Sequence, residues 1–323
     1  MNVSFFLRQF NERGTSVATY DYAKYNEEIL GNKSYIISFK ENENDMYSSS
    51  SYERFSFRFE IIEISDITDM KWVIEKYNLH FFYTLASGEL DAIYQFENKE
   101  LWRNCKTIKH CVFNTTYPES DFHISISNDL NERYHTNLAV IPHIVLLPDW
   151  NENLRETLNI PKDAIVFGRY GGKDEFNIPY TKQAIQDYLY YDPYVYFLFM
   201  NTVPFYNHPN IIYVKGCLEP VYKVTFINTC DAMIHAREMG ETFGLSIAEF
   251  SSKNKPVITC PCGDLEHIRI LGDRAILYHN KDELFDIFCN IRSLIGMRSD
   301  WNAYTRFTPY EVMNLFQEHI FGR

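Results

Sequence analysis

Short apolar runs alternate with amphipathic stretches from the first residues onward. Residues 3–7 (VSFFL), 35–39 (YIISF), 59–64 (FEIIEI), 79–85 (LHFFYTL), 106–113, 122–127 and 138–147 read as strands, with helical patterns at 16–29 and from a Ser65 cap to Tyr77. The polar, serine-rich stretch at 41–54 reads as a surface excursion. The strands are apolar throughout, the pattern of a parallel sheet covered on both faces. Two prolines, Pro148 and Pro161, bracket a polar connection, after which strands at 164–170, 194–200, 210–216, 231–236, 256–260 and 275–279 resume. Helices are predicted at 181–191, near 219–228 and after Gly244. Near the end, Thr308, Pro309 and Glu311 supply a cap, a first-turn proline and a capping-box glutamate. Val312, Phe316 and Ile320 give that helix one apolar face, which must dock on something.

The pattern predicts an α/β protein of two Rossmann-like domains with a cleft between them. Residues 1–147 form the first domain, completed by 304–323; 148–160 form a linker, and 161–303 the second domain. The length of 323 residues suits two domains, and 46% hydrophobic against 23% charged residues excludes wholesale disorder. A formal charge of -12 with no basic cluster argues against nucleic acid or an anionic membrane surface as partner. The first residues lack the pattern of a secretory signal, and no window is apolar enough to span a bilayer, so a soluble, cytoplasmic protein is expected. The 7 scattered cysteines include no CxxC pair, so neither a disulfide framework nor a zinc site is predicted. The sequons at Asn2, Asn32 and Asn114 read as chance matches.

Glycine is scarce, 13 in all, yet three fall in 168–172 (GRYGG) and two in 240–244 (GETFG). Glycines at a strand end let the main chain approach a phosphate, whose charge Arg169 and Lys173 would meet; a solvated turn with ordinary surface charges accounts for that segment equally well. Residues 231–268 are more specific, reading as strand, glycine-punctuated loop, helix and strand. Glu241 stands in the loop to accept from sugar hydroxyls, and Glu249 lies two turns along the helix, within reach of a ribose. Between them, the main-chain N–H groups of Phe243, Gly244 and Leu245 at the helix start suit a diphosphate. Glutamates at that spacing also arise by chance as solvated charges.

The string Glu241, Phe243-Gly244-Leu245, Glu249 and Pro256-Val257-Ile258 resembles the signature of retaining GT-B glycosyltransferases, especially glycosyltransferase family 4. The resemblance covers 165–284. It implies that Arg169 and Lys173 hold the donor diphosphate, that Glu241 contacts the transferred sugar and Glu249 the ribose, and that Lys215 and Gly216 flank the base. Gly168 belongs to the same donor-binding segment. In the first domain it implies a phosphate-side loop at Arg13-Gly14-Thr15 and a cleft histidine, His110, which as a residue type at a strand end is more often ordinary. His235 and Arg237 rank below the glutamates.

The implied activity is transfer of a sugar from a UDP- or GDP-linked donor to a hydroxyl of a glycan or related acceptor, without a cofactor. No metal ligand set is predicted, because the acidic pairs Asp66/Asp69 and Glu89/Asp91 lack a strand-end setting. The rivals are a nucleotide-sugar epimerase and a catalytically silent binding module for nucleotide sugars or glycans.

Overall fold

A computed structural model describes residues 1–40 and 47–322. The chain divides into two compact units, one made of Met1–Ile144 with Phe307–Arg323 and the other of Val145–Arg306. In the first unit the order is β1 (Asn2–Leu7), α1 (Gly14–Glu28), β2 (Lys33–Phe39), α2 (Ser49–Arg58), β3 (Glu60–Ile64), α3 (Met70–Tyr77), β4 (Phe81–Ala86), α4 (Lys99–Trp102), β5 (Lys106–Cys111), β6 (Phe122–Ser125) and α5 (Asn128–Arg133). The strands form one parallel sheet, β3-β2-β1-β4-β5-β6, in which Phe5 lies between Ile36 and Tyr83.

Two stretches of this unit depart from the pattern reading. The serine-rich excursion contains helix α2, because Ser48 accepts from the Ser51 N–H as an N-cap and Phe55 is buried against Phe10 and Tyr20. Residues 41–46 of that excursion lie outside the described residues. The apolar run at 138–147 is not a strand: it makes a single bridge, Val140 to Ser125, and Pro142 has no N–H to give a ladder.

The second unit runs β7 (Ile165–Tyr170), α6 (Pro179–Tyr191), β8 (Val195–Met200), β9 (Ile211–Val214), α7 (Pro220–Thr229), β10 (Ala232–Ile234), β11 (Gly240–Glu241), α8 (Leu245–Ser252), β12 (Val257–Thr259), β13 (Asp264–Leu265), α9 (Glu266–Leu271), β14 (Ala275–Leu277) and α10 (Lys281–Gly296). Its main sheet, β14-β12-β10-β7-β8-β9, is again parallel. Helix α10 had no place in the pattern reading. Asn280 caps it, and Leu284, Phe288 and Ile291 bury its apolar face, Phe288 packing on Phe167 with ring centroids 4.7 Å apart. The final helix α11 (Pro309–Phe316), capped by Thr308, returns to the first unit. There Phe316 packs between Tyr22 and Tyr83.

Both sheets have the same strand order. Taken in chain order within each unit it is 3-2-1-4-5-6, in which successive crossovers leave the first strand in opposite directions. Ligands of such sheets bind beyond the C-terminal ends of the strands flanking that reversal. In the second unit these are β7 and β10; the first glycine-rich stretch singled out above spans the end of β7 and the turn after it, and the second lies in the loop that follows β10.

Candidate nucleotide-sugar site

The loop after β7 is anchored by Arg169. This buried side chain donates from Nη1 to Thr202 Oγ1 (2.6 Å) and the Asn201 carbonyl (3.3 Å), and from Nη2 to the Gly172 carbonyl (2.8 Å). Burial pushes its pKa down to about 10 while the charges of Glu175 and Glu241 oppose that shift, so it remains a cation. The loop after β8 is sewn to the same place: Asn201 Nδ2 donates to the Gly171 carbonyl and the Val203 N–H to the Lys173 carbonyl. Gly168 is an interior strand position, not a turn. A methyl group there would overlap Cys230 Sγ and crowd Phe250, so its smallness serves packing. Lys173 is exposed beside Arg169's loop.

The loop after β10 turns at Gly240 and is clasped to the loop after β12 by the two-residue parallel ladder of β11 and β13. Gly240 and Gly263 both have left-handed backbone, φ +65° and +62°, and a side chain on either would strike the main chain of the opposite loop. Glu241 is held from two sides. His235 Nε2 lies 3.3 Å from Oε1, and Arg237 Nη1 donates to Oε2 at 3.0 Å. Burial raises the Glu241 pKa, but the His235 hydrogen bond and the Arg237 charge outweigh it and hold the carboxyl below its ordinary range. Arg237 also pairs with Glu175 at 3.1 Å, and Glu175 accepts from the Gly172 N–H, closing the circuit back to Arg169. His235 and Arg237 therefore hold Glu241 directly, a role their ranking in the sequence reading did not give them.

After Phe243, whose ring meets Tyr304 edge-on and whose carbonyl accepts from Tyr304 Oη, the chain reverses at Gly244 (φ +80°) into α8. The first intrahelical bond runs from the Ala248 N–H to the Gly244 carbonyl, so the N–H groups of the first turn, from Leu245 on, have no partner inside the helix. Two turns along, Glu249 is buried. Its Oε1 accepts from Lys223 Nζ at 2.8 Å, and Oε2 accepts from Tyr170 Oη and from the same lysine. Lys223 and Tyr170 are partners that the sequence reading missed. Lys215 is exposed and Gly216 half-buried just past β9.

The two first-unit candidates lie in different settings. Gly14 is the first residue of α1, with open space where a side chain would stand. His110 lies within β5 in the core, its Nδ1 2.8 Å from Tyr83 Oη and its ring packed among Tyr22, Tyr83 and His143. Burial pushes its pKa down to about 3, with the neighbouring His143 acting in the same direction, so it is neutral. Of the acidic pairs, Asp66 and Asp69 close a capping box, while Asp91 caps Ile93 and pairs with Arg8. Among the described residues no group of three or more His, Cys, Asp or Glu side chains is placed to hold a metal ion, and no helix is long and apolar enough to cross a membrane.

No protein-family model matches the chain. No curated protein matches it in sequence. Solved structures match it in fold over its whole length. A glycosyltransferase from Rickettsia africae is 16% identical with a TM-score of 0.68, covering 98% of this chain and 94% of its own. HepE from Anabaena in complex with UDP-glucose is 13% identical with a TM-score of 0.73, covering 100% and 99%. A Listeria monocytogenes protein described as a UDP-N-acetylglucosamine 2-epimerase is 12% identical with a TM-score of 0.63, covering 98% and 96%. With two six-stranded parallel sheets of Rossmann order in one chain, this is a GT-B fold.

Proposed function

We propose that the protein is a retaining glycosyltransferase that moves a sugar from a nucleoside diphosphate donor to an acceptor hydroxyl of a glycan or related molecule, without a metal ion. The observation that carries this reading is the convergence at one sheet end of an ionised Glu241, a buried cationic Arg169 and the left-handed start of α8, joined through Glu175 and Arg237. That HepE, with the same fold, binds UDP-glucose supports it. Glu241 uses one bond on each oxygen and retains lone pairs for sugar hydroxyls. Arg169 supplies fixed positive charge, with Lys173 and the first N–H groups of α8 facing the diphosphate. The bond from the sugar C1 to the phosphate oxygen breaks as the acceptor oxygen bonds to C1 on the same face, and the acceptor proton passes to the departing phosphate. The base lies by Lys215 and Gly216, and Glu249 reaches the ribose by exchanging one of its internal bonds. Gly14 and His110 belong to the acceptor-side unit.

A thermal-shift screen of UDP, GDP and their sugars should single out one donor, since ligand binding to the folded state raises its stability by mass action. Incubation with that donor in labelled form should then release nucleoside diphosphate only as an acceptor becomes glycosylated. Interconversion of sugars without an acceptor would establish the epimerase reading, which the Listeria likeness favours. Tight binding with no turnover would leave a silent binding module. EDTA should leave the rate unchanged, and inactivation reversed by manganese would refute metal independence.

A further inference from the structure

Residues 299–304, which follow α10, form a strap laced to α8 from its far end. Asn254 Nδ2 donates to the Ser299 carbonyl at 3.0 Å, and its Oδ1 accepts from the Trp301 N–H at 2.6 Å. One turn back, the buried Ser251 Oγ donates to the Trp301 carbonyl at 2.9 Å and accepts from the Ala303 N–H at 3.0 Å. The strap thereby delivers Tyr304 to the other end of the helix. There its residue is 2% exposed, its ring is edge-on to Phe243, and its Oη donates to the Phe243 carbonyl at 3.1 Å.

That carbonyl belongs to the peptide joining Phe243 to Gly244. A trans peptide is planar, with its C=O and N–H pointing opposite ways, so whatever holds the carbonyl also directs the Gly244 N–H. Gly244, at φ +80°, does not fix this peptide itself, because glycine takes either sign of φ with similar ease and the plane in front of it turns with that angle. The bond from Tyr304 is buried, so water does not compete for the carbonyl. Burial also pushes the Tyr304 phenol well above its ordinary pKa, and it keeps the proton it donates.

We infer that Tyr304 is a positioning residue for the donor diphosphate: its hydroxyl, by holding the Phe243 carbonyl, aims the Gly244 N–H at the start of α8. Its bearing on the donor rests on the glycosyltransferase reading, whereas the setting of the peptide can be measured without any ligand. Labelling the full chain with carbon-13 at the Phe carbonyl and nitrogen-15 at Gly leaves three amide signals, from Gly168, Gly244 and Gly322, the glycines that follow a phenylalanine. Tyr304→Phe keeps the ring and removes the hydroxyl. The expected result is a moved Gly244 signal with the other two in place. Calorimetry should show UDP or GDP affinity falling about five-fold, the scale of one hydrogen bond between neutral groups, with affinity for uridine or guanosine unchanged. An unmoved Gly244 signal overturns the inference, and so does unchanged diphosphate affinity. Equal losses for diphosphate and nucleoside reduce Tyr304 to packing and overturn it as well. If Tyr304→Phe fails to fold, 3-fluorotyrosine placed at 304 alone, whose more acidic hydroxyl is a stronger donor, must move the same signal, and an unmoved signal there is again a refutation. If the unaltered protein binds neither diphosphate, the transferase reading fails, and a moved Gly244 signal still shows the hydroxyl setting that peptide.

Discussion

Glu241 and Glu249 carry the same charge on neighbouring elements, yet their surroundings assign them opposite tasks. Glu241 is partly open, with an 18% exposed side chain and spare lone pairs, whereas Glu249 is buried against Lys223 and Tyr170. Glu241→Ala should cut kcat about a hundred-fold, the scale of losing one preorganised partner, with little change in nucleoside diphosphate affinity. Steady-state kinetics beside calorimetry check it, and full activity removes Glu241 from the site. Lys223→Ala should destabilise the second unit by about 3–5 kcal/mol, because it strands a buried carboxylate. Denaturant titration measures that loss. Glu249→Ala should also weaken nucleotide binding; unchanged affinity with lost stability would assign it to the ion pair alone. Arg169 and Glu241 could be picked out in the sequence because scarce glycines flank them, and Glu249 by its spacing from Glu241 along the following helix. Lys223 could not: it lies on α7, 26 residues before Glu249, and tertiary approach alone brings them together.

At the scale of elements, the strand ends depend on glycines for two different reasons. Gly168→Ala should cost about 1–3 kcal/mol by overpacking against Cys230, and Cys230→Ala in the same chain should return part of it. Additive losses in a double-mutant cycle would refute this coupling. Gly240→Ala meets both the left-handed backbone and the carbonyl oxygens of Cys262 and Asp264, so it should open the β11–β13 clasp. Faster amide exchange at Glu241 and Leu265 would report that opening. Most strands were legible because buried parallel strands are apolar from end to end. The stretch at 138–147 is just as apolar but makes only the Val140 bridge, with Pro142 unable to donate to a ladder, and composition alone does not separate the two. Helix α2 was hidden by serines that act as cap and first turn.

The molecule as a whole stores neutral histidines in its cores. His110 and His143 in the first unit and His267 in the second have pKa values pushed by burial down to about 3, 4 and 3 from an ordinary 6.5. Below pH 6.5 the unfolded chain therefore binds more protons than the folded one, and stability falls as the pH drops toward 4. Each group contributes about 1 kcal/mol per pH unit once its unfolded form is fully protonated. Glu241 acts in the same direction lower down: its depressed carboxyl stabilises above the ordinary 4.5 and loses that contribution as pH falls through its folded value. Denaturation midpoints from pH 7.5 to 4.5 should trace this slope, and His110→Phe, whatever its starting stability, should flatten it. The two-unit division carries a consequence for synthesis. Since Val312, Met313 and Phe316 of α11 fill the core of the unit that begins at Met1, a ribosome that has translated residues 1–306 has still not made the piece that seals the first sheet. Until α11 emerges, Tyr22 and Tyr83 lack their Phe316 neighbour, and an apolar seat of this kind, left open during synthesis, is a place where non-native contacts can form.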